Sequence, residues 1–346
     1  MQPTRHLLSN NRWHFQHGPI DLILEAFGNQ NSVDAAFENA WIRFSTVLSE
    51  LVQELPNLRK PVSQPSRIDK LSCEIPTGQV AWMMWKACSD LISCSPGEFL
   101  TPMASVAGAV SDTIIESFKV VGVDKAWVNN GGDIALHLTK EHSVEIGIVG
   151  ESNDLSKKMF MKYYSTNLTE RLGSQQIVED SHVTGKFKVD HSMPVRGVAT
   201  SGRGGRSFTR GIADSVTVLA QNSALADAAA TLIGNAVNVD LAGIVRKPAN
   251  SLKDDTDLGD ILVTVEVPKL EDEVINIAIK AGIAKAVNLS QALIRSTGHQ
   301  IYYALIYLQG KVGIYEFQKD DHTKFNHQGD FDKEVLPTAN LNTVWV

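Results

Sequence analysis

Cysteine is scarce in this 346-residue chain, which holds only Cys73, Cys88 and Cys94. The number is odd and no CxxC pair occurs, which excludes a disulfide framework and a four-thiolate zinc centre. Free thiols in a reducing compartment are the expectation. Positive charge is also in deficit: 32 Lys and Arg stand against 39 Asp and Glu, a net charge of −7. That balance, with no basic run, argues against nonspecific nucleic-acid binding and against a polybasic membrane patch. The opening residues MQPTRHLLSNNRWHFQHG lack the apolar core and cleavage site of a signal peptide. No uninterrupted run of about 18 apolar residues marks a transmembrane helix. A GxSxG elbow, an internal repeat and a Gly/Ser linker are missing too. The expectation is a cytoplasmic protein with no nucleic-acid or membrane partner. What is present is ordinary for a globular chain: 43% hydrophobic and 21% charged residues.

Residues 12–27 read as extended chain bent at Gly18-Pro19. Ser32 is expected to cap a helix in which Val33, Phe37, Ala40, Trp41, Phe44, Leu48, Leu51 and Leu55 recur at spacings of three and four, and Pro56 is expected to end it. Further helices are predicted near 78–92 and within the small-residue stretch 102–120. The period then drops to two. Residues 125–138 predict two strands joined at Asn129-Asn130-Gly131-Gly132, and 143–150 is expected to extend that sheet. Strand 211–220 leads to helix 223–237, strand 261–267 to helix 271–295, and strands return near 300–316. Residues 150–195 are polar and carry no assignable pattern. This alternation predicts one α/β (α+β) domain over residues 1–320, with 321–346 a peripheral polar tail.

Four segments carry residues suited to chemistry. Asp227 and Thr231 lie four apart, so a helix stacks them on one face, with Asn235 continuing the stripe. A carboxylate and a hydroxyl so placed suit a hard cation such as Mg2+; a first-turn Asp that merely complements the helix dipole is the alternative. Thr200, Ser201, Gly202, Arg203, Arg206 and Ser207 form a glycine-rich, arginine-bearing loop whose N–H and guanidinium donors suit an anion; a surface loop is the alternative. In Asn129-Asn130-Gly131-Gly132-Asp133, glycines Gly131 and Gly132 allow either a tight hairpin or a flat ligand against the backbone, with Asn130 and Asp133 beside it. Asp112 in the small-residue helix is a further candidate ligand-binding carboxylate. His14 and His17 form HxxH, but strand geometry points them to opposite faces.

In this order the segments AGAVSD (107–112), NNGGDI (129–134), ATSGRGGRS (199–207), SVTVLA (215–220) and ADAAAT (226–231) resemble the ApbE-like flavin-transferase superfamily. The likeness runs from about residue 12 to about 312 and is nearer to a branch of short cytoplasmic members of unassigned function. The resemblance implies a T-fold-like core with mixed or antiparallel sheets and packed helices. It implies magnesium held by Asp227 and Thr231 with a backbone carbonyl at Val106 or Ala107, and FAD as substrate or ligand, lined by Asp112, Asn130, Gly131, Gly132 and Asp133. The implied activity is transfer of FMN from FAD to a Thr or Ser of a flavoprotein acceptor, or hydrolysis of FAD to FMN and AMP. A homodimer suits the scaffold. Two positions depart from the superfamily pattern. Residues 207–214 (SFTRGIAD) replace a His-(Ile/Leu)-x-(Asp/Asn)-Pro-x-Thr-Gly segment, and Ala107 stands where a Lys is usual. Three readings follow: a magnesium-dependent enzyme acting on FAD, the same scaffold acting on another anionic small molecule, or a non-catalytic ligand-binding protein.

Overall fold

The period-two segments pair into one broad sheet. A computed structural model describes residues 2–8, 12–63, 72–149, 183–205, 207–317 and 343–345. Nine strands, each antiparallel to its neighbours, follow in chain order: β1 (Thr4–Leu7), β2 (Trp13–His17), β3 (Ile20–Gly28), β4 (Val123–Asn130), β5 (Asp133–Leu138), then, after the two strands of a smaller sheet, β8 (Gly197–Ser201), β9 (Ser215–Ala220), β12 (Ile301–Leu308) and β13 (Lys311–Glu316). The smaller sheet joins β6 (Ser143–Val149) to β7 (Val183–Asp190) and, in parallel, to β14 (Thr343–Trp345). A separate hairpin pairs β10 (Val245–Pro248) with β11 (Leu262–Glu266). The α/β class with antiparallel and mixed sheets is therefore as expected.

Five α-helices accompany the sheets among the described residues: α1 (Gln30–Leu58), α2 (Gln79–Cys94), α3 (Val106–Ile115), α4 (Ser223–Ala236) and α5 (Asp272–Ser296). One face of the nine-stranded sheet packs on these helices. Leu22, Leu24, Ala126 and Val128 meet Phe37, Phe44, Met84 and Ile114 in one cluster. Val216, Val218, Ala304 and Ile306 meet Ala229, Ile233, Ile279 and Leu289 in another. The alternate residues Trp127, Ile134, Leu136, Val198 and Leu219 point the other way, onto Val144, Ile146 and Val189 of the smaller sheet. The period of two thus serves two cores at once.

Several expectations are corrected by the local geometry. The cap of α1 is Asn29, whose Oδ1 accepts from the N–H groups of Asn31 and Ser32, so Ser32 sits inside the helix. Pro56 does not stop α1, which continues to Leu58; this close to the C-terminus the ring costs only one hydrogen bond. Residues 143–149 do not extend the main sheet but stack over it as β6. Of the polar stretch 150–195, residues 150–182 lie outside the described residues, as do 318–342 of the C-terminal segment. The three cysteines are free thiols. By length and a mean hydropathy of 1.3, α5 could cross a membrane. Its Ile275, Ala278, Ile279, Ile283, Ala286, Leu289 and Leu293 form a stripe buried in the core, with Gly282 drawn against Val237 and Ile306.

Candidate functional site

The crossing of α3 and α4 organises the four chemistry-bearing segments. Alanine and glycine make the approach possible. A Cβ on Gly108 would lie 2.3 Å from the Ser223 carbonyl oxygen, and one on Gly197 would lie 1.9 Å from the Asn222 carbonyl carbon. The start of α4 is thereby wedged between α3 and β8. Its cap is double. Asn222 Oδ1 accepts from Leu225 N–H at 2.8 Å, and Asp112, reaching across from α3, accepts from Ser223 N–H at 3.0 Å and Ala224 N–H at 2.8 Å.

The reverse arrangement holds one turn further on. No side chain of Ser105 caps α3. Asp227 of α4 does so instead, accepting from Gly108 N–H at 3.0 Å and from Ala107 N–H. Each helix therefore presents a carboxylate to the positive N-terminal end of the other. Both groups stand in a low-dielectric setting. Burial pushes the Asp112 carboxyl up to about 7, against the pull of the Ala224 and Ser223 N–H groups. Burial also raises Asp227; the N–H groups of Gly108 and Ala107 oppose the shift, and the charge of Asp112 adds to it.

The turn segment closes on the same place. Asn130 and Asp133 are paired across a two-residue loop in which Gly131 and Gly132 take φ of 66° and 113°. These are values glycine adopts without strain, and Asn129 Oδ1 accepts from Gly132 N–H at 2.8 Å. Buried Asn130 donates from Nδ2 to the Ala107 carbonyl at 3.2 Å. Ser111 donates to the Asp133 carbonyl at 2.8 Å, and Asp133 Oδ1 accepts from Thr200 N–H at 3.2 Å. Thr200 Oγ1 in turn lies 2.9 Å from Thr217 Oγ1 of β9. Direct hydrogen bonds therefore link AGAVSD to the NNGGD turn and to the ADAAAT helix, and link the NNGGD turn to the start of ATSG.

The remainder of the arginine-bearing loop turns away. Arg203 donates to Asp214 Oδ1 at 2.7 Å, and its N–H donates to the Ala213 carbonyl. Asp214 Oδ2 also accepts from Gln309 N–H at 2.6 Å, which pins the loop to the β12–β13 turn. Gly202, at φ 138°, passes so close to the Asp214 carbonyl oxygen that a Cβ would come within 2.5 Å. Ser201 is half-buried, Ser207 is exposed, and Arg206 lies outside the described residues.

The donor set at the α3–α4 crossing is all oxygen. Asp227 is half-buried rather than sealed, and Thr231 sits one turn along the same face. The Thr231 hydroxyl donates to the Asp227 backbone carbonyl at 3.3 Å, which leaves its lone pairs available. The Ala107 carbonyl, in the first turn of α3, accepts from Asn130 Nδ2. Among the described residues, no group of three His, Cys, Asp or Glu could hold a metal alone. A carboxylate, a hydroxyl and a carbonyl nonetheless match magnesium, which keeps waters and takes substrate phosphates to fill its shell. Nearby, Thr101 donates to Asp257 Oδ2, and both Asp227 and Asp257 bear on the buried Cys88 thiol, which burial raises well above its ordinary value. Asp257 sits in an acidic loop about 30 residues beyond Asp227, and no sequence pattern marks it.

A profile of the family described as AbpE bacteria matches residues 5–313. This chain belongs to that family. The resemblance drawn from the five ordered segments is thereby borne out. Among curated relatives, a UPF0280 protein of Methanothrix thermoacetophila is 33% identical over 140 residues, covering 40% of this chain and 47% of its own. A UPF0280 protein of Methanococcus aeolicus is 36% identical over 135 residues, 39% and 44% of the two chains. The chain thus spans about half the length of the curated relatives it matches. Among solved structures, a His-to-Gly mutant of the flavin transferase ApbE from Vibrio cholerae aligns over 91% of this chain and 97% of its own, with 11% identity and a TM-score of 0.34.

Proposed function

We propose that this member of the AbpE bacteria family is a magnesium-dependent enzyme that uses FAD, of the FMN-transferase or FAD-pyrophosphatase type. The observation that carries the reading is the hydrogen-bonded chain that ties Asp227 to the start of α3, α3 to the NNGGD turn, and that turn to Thr200. Asp227, Thr231 and the Ala107 carbonyl would hold the metal. Magnesium so placed supplies neutralisation of the pyrophosphate charge and polarisation of phosphorus. Asp112 acts at one remove, because by capping α4 it fixes the height of Asp227 on α3. Asn130 donates to the Ala107 carbonyl. The Gly131-Gly132 turn offers backbone without side chains to a flat ring, and Asp133 and Thr200 stand beside it. In the transferase form the acceptor is a Thr or Ser hydroxyl of a flavoprotein; in the pyrophosphatase form it is water. A second reading, the same scaffold with another anionic small molecule, is favoured by residues 207–214, which hold neither the His nor the Pro of the superfamily segment.

The test is calorimetric titration of the full chain with FAD, with and without magnesium, followed by chromatography for FMN and AMP. Asp227→Asn retains an oxygen for the α3 N–H groups but removes the charge a cation needs, and Thr231→Val removes the hydroxyl. Magnesium-dependent binding that weakens at least about tenfold in both variants is the expected result. Binding unaffected by magnesium, or none, would overturn the proposal.

A further inference from the structure

A second concave feature lies at the opposite end of α4. The stripe begun by Asp227 and Thr231 ends at Asn235, roughly 12 Å from Asp227 along the axis at 1.5 Å per residue. There a cleft of about 330 Å³ is lined by Glu98, Arg210, Asn235, Asn238 and Arg246, with Ala236 and Leu262 as its apolar wall. We infer that this cleft is a binding site for a phosphate-bearing small molecule, held by Arg210 and Arg246.

Both arginines are carried on fixed backbone. Arg210 N–H donates to Asn235 Oδ1 at 2.9 Å, and the Arg210 carbonyl accepts from Thr264 Oγ1 of β11 at 3.2 Å. The next residue, Gly211, runs so close to α4 that a Cβ would lie 1.9 Å from the Gly234 carbonyl oxygen. Arg246, on β10, donates from Nη2 to Asn238 Oδ1 at 2.6 Å. Elsewhere in the fold Arg5, Arg43, Arg59 and Arg203 each face a carboxylate. Among the described residues, no carboxylate pairs with Arg210 or Arg246, although both are half-buried. Nor does either guanidinium bond a terminal carbonyl of α4, so capping of that helix does not account for them.

The rest of the lining is also arranged to donate. The Oδ1 atoms of both asparagines are consumed within the protein, Asn235 by Arg210 and Thr209, Asn238 by Arg246 and Val239. Their amide Nδ2 groups remain as donors. Glu98 is the one acid on the lining, and Lys285, donating at 2.5 Å, offsets its charge. Two guanidinium forks with two amides suit a multiply charged oxyanion, and the planar fork matches phosphate bidentately. The volume lies at the small end of ligand sites, the scale of a mono- or diphosphate rather than a whole dinucleotide. This inference stands apart from the metal end of α4 and from the flavin reading.

The test is titration of the full chain with inorganic pyrophosphate in the absence of divalent metal, against malonate as a dicarboxylate of comparable reach. Wild type is expected to bind pyrophosphate saturably and more tightly than malonate. Arg210→Gln and Arg246→Gln, each checked for native circular dichroism, should weaken that binding at least about tenfold, the loss of one charge-assisted contact. Arg295→Gln, an exposed arginine on α5, controls for net charge and should bind as wild type does. No saturable binding, equal affinity for malonate, or retention of affinity in both cleft variants would overturn the inference. Failure of FAD to bind with magnesium would count against the proposed function and leave this result untouched.

Discussion

Asp112 and Asp227 show how one residue type serves folding and chemistry within a few ångströms. Each caps a helix from the other helix, and each is kept above the ordinary carboxylate range by burial. The consequence for stability has a definite sign. Asp112 ionises at about 7 in the fold against an ordinary 3.8, and Glu25, raised mainly by burial, at about 7 against 4.5. Between those values the folded chain holds protons that the unfolded chain has released. Their contribution is complete below the unfolded values and is lost as pH rises through about 7. His137, lowered by burial, works in the opposite direction, gaining stability as pH rises through the ordinary 6.5. Comparison with Asp112→Asn isolates the carboxylate. Urea midpoints at pH 5.5 and pH 8 should show wild type losing stability relative to the variant as pH rises; a constant difference would contradict the burial argument. Asp227 and Thr231 were legible as a pair because helical spacing stacks them. The partners of Asp112 were not, since Ser223 and Ala224 lie more than a hundred residues away and are reached through backbone N–H groups that any sequence supplies.

At the scale of elements, the site depends on how closely α3 and β8 approach the start of α4. The atoms facing Gly108 and Gly197 are backbone, which cannot swing aside as a side chain would. Gly108→Ala should therefore cost about 2–3 kcal/mol, at the upper end for overpacking, and displace Asp227 from the α3 N–H groups. Equilibrium urea unfolding measures the cost, and a change below about 0.5 kcal/mol would show that the helices have room to separate. Elements with a strong internal period were readable from sequence. The stripe from Val33 to Leu55 gave α1, and Asn129-Asn130-Gly131-Gly132 gave the hairpin because few other residues tolerate its φ values. The ends were less readable. Ser32 and Asn29 are both good caps three residues apart, and only the geometry of the chain entering from β3 selects Asn29. The pattern of residues 143–149 specified a strand and its faces but not its neighbours, so β6 was expected in the wrong sheet.

Among the described residues, a nine-stranded antiparallel sheet carries helices on one face and a small sheet on the other, and the motifs meet only because that layering brings residues 107, 130, 200 and 227 together. The order of the five segments disclosed the family, and the hydrogen bonds between them explain why those residue types occur together. The Arg210–Arg246 cleft was hidden from sequence because its two arginines come from a loop and a hairpin that pair through Thr209 and Thr264, with no shared period. The site proposed for a divalent cation and FAD is the α3–α4 crossing at Asp227. Its most direct test is a crystal of the full chain grown with FAD and manganese, which accepts the same oxygen ligands as magnesium, measured for anomalous scattering. A manganese peak bonded by Asp227, Thr231 and the Ala107 carbonyl, with the FAD pyrophosphate completing its shell, is the expected result. A manganese peak elsewhere, or FAD bound with no metal against Asp227, would contradict it.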